Sequence, residues 1–174
     1  MTYGVAIVTV SDRQHAGERA HDASAQTIRE SLAHLLHLEV VEYAVRPDER
    51  EVVEATLREL ASREDIQLIL TTGGTGLAPR DVTPDATLRV IEYQVPGIAE
   101  AIRQEGLRHT PMAMLSRAVA GVVSGTLVIN LPGSPKGVRE SLSPVLPALV
   151  HALDKLTGDP SECGPNPETS RPTG

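Results

Sequence analysis

Residues 68–87, LILTTGGTGLAPRDVTPDAT, constrain the fold more than any other stretch of the chain. A short apolar run passes into a turn in which Gly73, Gly74 and Gly76 occupy three of four positions, and a helix start follows at Thr83, a plausible N-cap. Glycines permit positive φ angles and bring bare N–H groups close to a ligand, as at the phosphate-binding end of a parallel strand. The stretch therefore predicts a strand, an anion-binding turn and a helix in succession.

The same alternation of strand and helix continues along most of the chain. Continuous apolar runs indicate strands buried on both faces, and leucines at helical spacing lie between them. The predicted strands cover residues 5–10, 38–45, 66–71, 118–123 and 126–131. The predicted helices cover 24–37, 48–60, 84–93, 98–109 and 135–157, the last with a restart at Ser143-Pro144. Ser124-Gly125 between the last two strands indicates a hairpin, so one strand should run antiparallel to the rest. These patterns predict an α/β domain of three layers with a mainly parallel sheet that carries one antiparallel strand.

Composition and charge limit the number of domains, the kinds of partner and the metal sites that this chain can have. We expect a single domain over residues 1–157 and a disordered tail over 158–174, which is rich in proline and lacks apolar periodicity. A formal net charge of −7 argues against nucleic-acid and anionic-membrane partners. Neither a signal peptide nor a membrane span is recognised, so the expected location is cytoplasmic. Cys163 is the only cysteine, which excludes an intrachain disulfide and a thiolate metal cluster.

The candidate site lies where the parallel strands end. Ligands of such sheets bind beyond the carboxyl ends of the strands. The segments that follow those ends are 11–13, 46–48, 72–81 and 131–136, and we expect them to converge on one pocket. Asp48 and Asp81 then lie at the same end of the sheet, where two carboxylates could share a Mg²⁺ ion bound to phosphate oxygens.

A second turn repeats the arrangement of the first. Asn130-Leu131-Pro132-Gly133 ends a predicted strand, Ser134 can cap the helix that follows, and Lys136 lies in the first turn of that helix. The helix dipole disfavours a cation there, so Lys136 indicates a nearby anion.

Each of these residues also has a structural interpretation. The glycine turn matches neither the Walker A pattern nor the dinucleotide fingerprint, and it could be a tight turn without a ligand. Asp48 at a helix start satisfies the requirements of an N-cap, and Arg80 could be a surface partner of Asp81. Ser11, Arg13 and Lys136 could be ordinary turn or surface residues, so the functional interpretation depends on convergence.

Four motifs in order resemble the MogA/MoaB family of molybdenum-cofactor biosynthesis proteins, which includes gephyrin G-domain-like proteins. They are TTGGTG at residues 71–76, RDVTPDA at 80–86, NLPGSPK at 130–136, and VTVSDR at 8–13 together with the Pro47-Asp48-Glu49 turn. The resemblance extends from about Tyr3 to Thr157. Relatives commonly carry a Ser-Gly-Pro-like step where this chain has Asp22-Ala23-Ser24-Ala25.

The resemblance implies a molybdopterin adenylyltransferase with a three-layer α/β/α sandwich fold. The terminal phosphate of molybdopterin would attack the α-phosphate of ATP and release pyrophosphate, with Mg²⁺ present. By this resemblance Asp48 and Asp81 are the catalytic and metal-binding residues. The other implied contacts are Gly73, Gly74, Thr75 and Gly76 to the nucleotide, and Ser11, Arg13, Gly133, Ser134 and Lys136 to molybdopterin.

The resemblance also implies an assembly and a position in a pathway. Family members are typically homotrimers, sometimes hexamers, and their product passes to a molybdate-inserting enzyme. The alternative is a non-catalytic molybdopterin-binding or scaffold module of the MoaB type, and local patterns separate the MogA and MoaB branches poorly.

Overall fold

One six-stranded sheet forms the centre of the computed structural model, which describes residues 2–158. The strands are β1 (Tyr3–Val10), β2 (Leu38–Arg46), β3 (Leu68–Thr72), β4 (Tyr93–Gln94), β5 (Ala120–Val123) and β6 (Thr126–Leu131), and their order is β2-β1-β3-β6-β5-β4. The strands β2, β1, β3 and β6 are parallel, whereas β5 pairs antiparallel with both β6 and β4. The predicted mainly parallel sheet with an antiparallel strand is confirmed.

Helices cover both faces of this sheet. They are α1 (Asp12–His15), α2 (Ala23–Leu32), α3 (Arg50–Ala61), α4 (Thr83–Val90), α5 (Pro96–His109), α6 (Pro135–Leu142) and α7 (Leu146–Leu156), with a 3₁₀ turn at Pro111–Leu115. Successive strand residues point to opposite faces, so Ile7 packs with α2, α5, α6 and α7, and Val8 packs with α3 and α4. The predicted three layers are therefore confirmed.

Several predicted element ends are wrong. The second helix ends at Leu32 rather than at residue 37, and α4 ends at Val90 rather than near Tyr93. Tyr93–Gln94 instead pairs with Gly121 and Val122 of β5. This pairing joins distant parts of the chain, so no local pattern could predict it.

The β5–β6 connection confirms the predicted hairpin. Ser124 and Gly125 both have positive φ angles, +50° and +78°, as the two-residue turns that match the twist of paired strands require. Within residues 2–158, none of the helices has both the length and the apolar character that crossing a bilayer demands. Most of the predicted tail, including Cys163, lies outside the described residues.

Candidate active site

The carboxyl ends of β1, β2, β3 and β6 surround a cavity of about 220 Å³, which we name the carboxylate cavity. It lies beside β1, whose neighbours in the sheet are β2 on one side and β3 on the other, at the switch point where such sheets bind ligands. Its lining consists of Thr9, Val10, Ser11, Gln14, Arg19, Asp22, Ser24, Asp48, Thr72, Gly73, Gly74, Asp81 and Gly133. The structure thus brings Asp48 and Asp81 to one cavity together with part of the glycine turn.

A second cavity, of about 350 Å³, lies on the other side of the glycine turn, and we name it the lysine cavity. Its lining includes the predicted site residues Thr75, Gly76, Ser134 and Lys136, and its walls include Ile102, Met112 and Leu115. The four predicted segments therefore meet at one edge of the sheet, but they line two cavities and not the single pocket that we expected.

The glycine turn has a geometry that other residues cannot adopt. Gly73 has a φ angle of +101°, and a Cβ atom on it would lie 2.3 Å from the carbonyl oxygen of Val10. Gly74 has a φ angle of +63°, and its Cβ would lie 3.1 Å from Oδ1 of Asp48. The backbone thus approaches both β1 and the Asp48 carboxylate closely because the side chains are missing.

Three consecutive N–H groups of this turn have no partner within residues 2–158. Within residues 2–158, no protein acceptor takes a hydrogen bond from the backbone N–H of Gly74, Thr75 or Gly76, whereas the Gly73 N–H donates to the Leu131 carbonyl at 3.1 Å. A run of unpaired N–H groups at the end of a parallel strand is typical of an anion-binding turn.

The Asp48 side chain does not cap its own helix. Helix α3 starts at Arg50 after Glu49, and no side chain caps it. Oδ2 of Asp48 instead accepts from the backbone N–H of Asp12 at 2.8 Å, while Oδ1 of Asp12 accepts from the Asp48 N–H at 3.0 Å. The capping interpretation of Asp48 is therefore wrong, and the carboxylate is held at the cavity by the first residue of α1.

The ionised form of the Asp48 carboxyl group is disfavoured in the folded protein. Burial raises the pKa of the Asp48 carboxyl above its usual value, and the nearby negative charges of Asp12 and Asp81 act in the same direction. The hydrogen bond from the Asp12 N–H and the charge of Arg80 oppose this shift without cancelling it. A cation between Asp48 and Asp81 would relieve this repulsion.

Arg80 pairs with Asp12, and Asp81 is not its partner. Its Nε and Nη2 donate to the two carboxylate oxygens of Asp12 at 2.5 and 2.8 Å. This bidentate pair holds the pKa of the Asp12 carboxyl below its usual value. Oδ2 of Asp81 accepts from the Ala78 N–H at 2.8 Å. The interpretation of Arg80 as the surface partner of Asp81 is therefore wrong.

Asp22 is a third carboxylate in the cavity that our sequence prediction did not assign. It caps α2 by accepting from the Ala25 N–H at 2.9 Å, and its Oδ2 accepts from the hydroxyls of Thr9 and Tyr43 at 2.5 and 2.7 Å. Burial alone would raise the pKa of Asp22, but these hydrogen bonds to the charged form outweigh burial and lower it. Burial and the Asp22 charge raise the pKa of Tyr43 to about 12. The cap pattern, an Asp two residues before the predicted helix start at Ser24, was the signal that could have identified Asp22.

The remaining predicted site residues separate into two groups. Ser11 and Gly133 line the carboxylate cavity, and Ser134 caps α6 as predicted by accepting from the Gly137 N–H at 3.1 Å. Arg13 lies outside both cavities, where its exposed guanidinium pairs with Glu18 at 3.3 Å. Its role in binding stays a prediction.

The fold and the site define an α/β protein in which a glycine turn and carboxylates line one cavity at the sheet switch point. Comparison with known proteins gives the particular family. Residues 6–151 match the family described as a probable molybdopterin binding domain. The chain therefore belongs to this family, and the predicted resemblance to MogA and MoaB proteins is confirmed.

Relatives with curated names agree with this membership. The chain is 38% identical over 159 residues to a molybdopterin adenylyltransferase of Helicobacter pylori, with 91% of this chain and 90% of the relative covered. It is 41% identical to the molybdopterin adenylyltransferase of Escherichia coli, with 87% and 80% of the two chains covered.

Solved structures agree as well. The crystal structure of the molybdopterin biosynthesis enzyme MoaB from Thermus thermophilus is 54% identical, with a TM-score of 0.85 over 92% of this chain and 100% of that one. The Mog protein of Mycobacterium ulcerans is 36% identical, with a TM-score of 0.82 over 91% and 99% of the two chains.

Proposed function

We propose that this protein is a molybdopterin adenylyltransferase of molybdenum cofactor biosynthesis, which transfers the adenylyl group of ATP to the terminal phosphate of molybdopterin and releases pyrophosphate. The observation that carries the proposal is the placement of Asp48, Asp81 and the free N–H groups of the glycine turn around the edge of one sheet. Identity of 38–41% to proteins named for this activity supports it.

The residues of the carboxylate cavity fit a Mg²⁺ ion bound together with phosphate. Within residues 2–158, no group of three or more His, Cys, Asp or Glu side chains is placed to hold a metal ion. Asp48 and Asp81 would supply two hard oxygen ligands, and phosphate and water oxygens would complete the six positions of Mg²⁺, as is usual for this ion. No described donor bonds to Oδ1 of Asp48, which leaves that atom available. When bound, Mg²⁺ would neutralise phosphate charge and orient the triphosphate.

The reaction requires no protein nucleophile. An oxygen of the molybdopterin phosphate attacks the α-phosphorus of ATP, the bond from that phosphorus to the oxygen bridging to the β-phosphate breaks, and pyrophosphate leaves with the electron pair. Because both reactants are anions, catalysis consists mostly of positioning and charge neutralisation. The N–H groups of Gly74, Thr75 and Gly76 would hold phosphate oxygens in line for this displacement.

The lysine cavity offers a place for the second phosphate-bearing ligand. Ser134 and Lys136 lie at the N-terminal end of the eight-residue helix α6, where the helix dipole favours an anion. Lys136 is 78% exposed, and its ammonium group pairs with Glu140 only at 3.7 Å, a long, exposed contact that a ligand phosphate could replace. The apolar walls formed by Ile102, Met112 and Leu115 suit the flat face of a fused ring.

The decisive experiment measures pyrophosphate release by Asp81→Asn and Asp48→Ala. We expect each substitution to reduce turnover by about 100-fold or more, the loss typical of removing a preorganised electrostatic contact. Asp65→Asn serves as the control, since Asp65 is exposed and pairs with Arg63 far from the site. Full activity in both site variants would falsify the proposed reaction.

The alternative function is a binding module that holds molybdopterin without turnover. Calorimetry separates the two functions, because a module would bind the pterin without consuming ATP. The presence of both aspartates at one cavity favours the enzyme.

The oligomeric state, the location and the protein partners are proposed from the family resemblance. We expect a homotrimer or hexamer in the cytoplasm, which supplies ATP and Mg²⁺, and a transfer of product to a molybdate-inserting enzyme. Light scattering would distinguish a trimer from the 18.5 kDa monomer.

A further inference from the structure

Arg117 is a residue outside both cavities that contacts the segment carrying Asp81. It lies between the 3₁₀ turn and β5, and it is half-buried. Its Nε donates to the carbonyl of Gly76 at 2.8 Å, and its Nη2 donates to the carbonyl of Asp81. Its Nη1 donates to both carboxylate oxygens of Asp85, at 3.2 and 3.0 Å. One guanidinium thus joins both ends of the loop formed by residues 76–81, which we name the Asp81 loop.

The backbone of Arg117 adds a further bond beside the same loop. Its N–H donates to the carbonyl of Thr75 at 2.9 Å. The planar fork of an arginine side chain can reach two carbonyls and a carboxylate at once, which the single ammonium group of lysine cannot do in the same geometry. Asp85 lies in the first turn of α4 and fixes the orientation of the fork.

The Asp81 loop has little apolar packing of its own. Leu77, Ala78, Pro79 and Arg80 are all exposed. The conformation of the loop therefore depends on polar contacts. They include those of Arg117 at its ends, the Arg80 pair with Asp12 at its tip, and the hydrogen bonds between Ala78 and Asp81 within it.

The position of the Asp81 carboxylate follows from the conformation of this loop. Its Oδ2 accepts from the Ala78 N–H within the loop, and it lies 2.8 Å from where a Cβ atom of Gly76 would be. A shift of Gly76 or of the Asp81 backbone would therefore move the carboxylate relative to Asp48.

We propose that Arg117 is a positioning residue that fixes the Asp81 loop and so presents the Asp81 carboxylate to a divalent cation in the carboxylate cavity. This inference rests on the proposed function, in which Asp81 binds Mg²⁺. Arg117 acts through the main-chain carbonyls of Gly76 and Asp81 and touches no substrate.

The first test measures Mn²⁺ binding by electron paramagnetic resonance, a readout that does not require turnover. We expect Arg117→Gln to raise the dissociation constant for Mn²⁺ by about tenfold, the lower end of what loss of an outer contact to a metal ligand costs. Arg117→Lys should not restore the binding. Arg58→Gln is the matched control, since the Arg58 guanidinium donates to the Arg89 carbonyl at the other end of α4 and should leave binding unchanged.

The kinetic prediction separates positioning from general loss of structure. The Mg²⁺ concentration for half-maximal pyrophosphate release should rise about tenfold in Arg117→Gln, while kcat at saturating Mg²⁺ should fall much less. Asp85→Asn keeps Arg117 and removes only the charge that orients its guanidinium. The Mg²⁺ concentration for half-maximal pyrophosphate release should therefore rise less than in Arg117→Gln. Asp85→Asn provides the same test if Arg117→Gln does not fold.

A double-mutant cycle with Asp81→Asn decides whether Arg117 acts through Asp81. If it does, Arg117→Gln should not further weaken Mn²⁺ binding in the Asp81→Asn background. Two outcomes would overturn the inference and leave the proposed function standing. One is that the losses of Mn²⁺ affinity in Arg117→Gln and Asp81→Asn add in the double variant. The other is that Arg117→Gln binds Mn²⁺ as the parent protein does while Asp81→Asn binds it more weakly. If Asp81→Asn itself leaves Mn²⁺ binding unchanged, the metal role in the proposed function fails and the inference fails with it.

Discussion

At the scale of single residues, Asp48 is a half-buried carboxylate whose negative charge opposes folding. Its pKa is raised mainly by burial, so the folded protein binds its proton more tightly than the unfolded chain does. Stability associated with this group therefore falls as pH rises from the ordinary aspartate value of 3.8 through the raised value of the folded state. At neutral pH the ionised carboxylate destabilises the fold in the absence of a cation.

This charge gives a prediction for Asp48→Asn in metal-free buffer. The variant should melt at a higher temperature than the parent protein at pH 7, because it removes a half-buried charge while its amide oxygen can still accept from the Asp12 N–H. The difference should shrink as pH falls toward 3.8. Thermal unfolding followed by circular dichroism across this pH range checks the prediction.

Asp65→Asn provides a control of opposite sign. The hydrogen bond from Arg63 lowers the pKa of Asp65, so its ionised form stabilises the fold above the ordinary aspartate value and that stabilisation is lost as pH falls below it. Asp65→Asn should therefore melt at a lower temperature at pH 7. A lower melting temperature for Asp48→Asn as well would contradict our account of Asp48.

At the scale of elements, the start of α6 combines a structural and a binding feature. Ser134 accepts from the Gly137 N–H and so caps the helix, and the same residue lines the lysine cavity. Capping and the proposed ligand binding would therefore overlap at one hydroxyl, and a single alanine substitution would not distinguish them.

Two substitutions of Ser134 separate these roles. Ser134→Ala should lower the free energy of unfolding by about 1 kcal/mol because the cap is lost. Ser134→Asp should keep the cap and the stability, yet raise KM for molybdopterin by about tenfold or more because like charges meet. Urea unfolding and steady-state kinetics measure the two effects, and an unchanged KM in Ser134→Asp would exclude a phosphate at this end of α6.

At the scale of the whole molecule, a buried polar chain links the antiparallel part of the sheet to the glycine turn. Nδ2 of Asn130 donates to the hydroxyls of Thr71 and Thr87 at 3.0 and 2.9 Å, and its Oδ1 accepts from the Val119 N–H at 3.2 Å. Thr87 donates to the carbonyl of Thr83, whose own hydroxyl donates to the Gly73 carbonyl at 2.9 Å. The turn is thus supported from the core.

This network predicts a large cost for Asn130→Ala. The substitution leaves a backbone N–H and two buried hydroxyls without their amide partner, so we expect a loss of about 2–3 kcal/mol in the free energy of unfolding. Thr71→Val, which removes one hydroxyl while conserving shape, should cost only about 1 kcal/mol. Denaturant titration compares the two, and equal losses would show that the network is not centred on Asn130.

Local sequence patterns predicted much of this fold. Apolar runs located the five longer strands, the Ser124-Gly125 step identified the hairpin, and Ser134 was recognised as a cap, because each is set by residues within one turn or strand. Local patterns failed for Thr83, which was expected to cap α4 but lies inside the helix after Val82 and donates to the Gly73 carbonyl. The two-residue strand β4 was missed for the same reason, since its partner lies elsewhere in the chain.

The sequence alone determined the layered α/β fold and the places where an anion and carboxylates would meet, since glycine spacing and strand ends are local properties. Tertiary structure alone decided what those carboxylates contact. Asp48 pairs with Asp12 across 36 residues of chain, and Arg80 pairs with Asp12 across 68. Arg117, which lies 36 residues after Asp81 in the chain, donates a hydrogen bond to the Asp81 carbonyl. Such contacts depend on how strands order in the sheet, and a local pattern contains no information about that order.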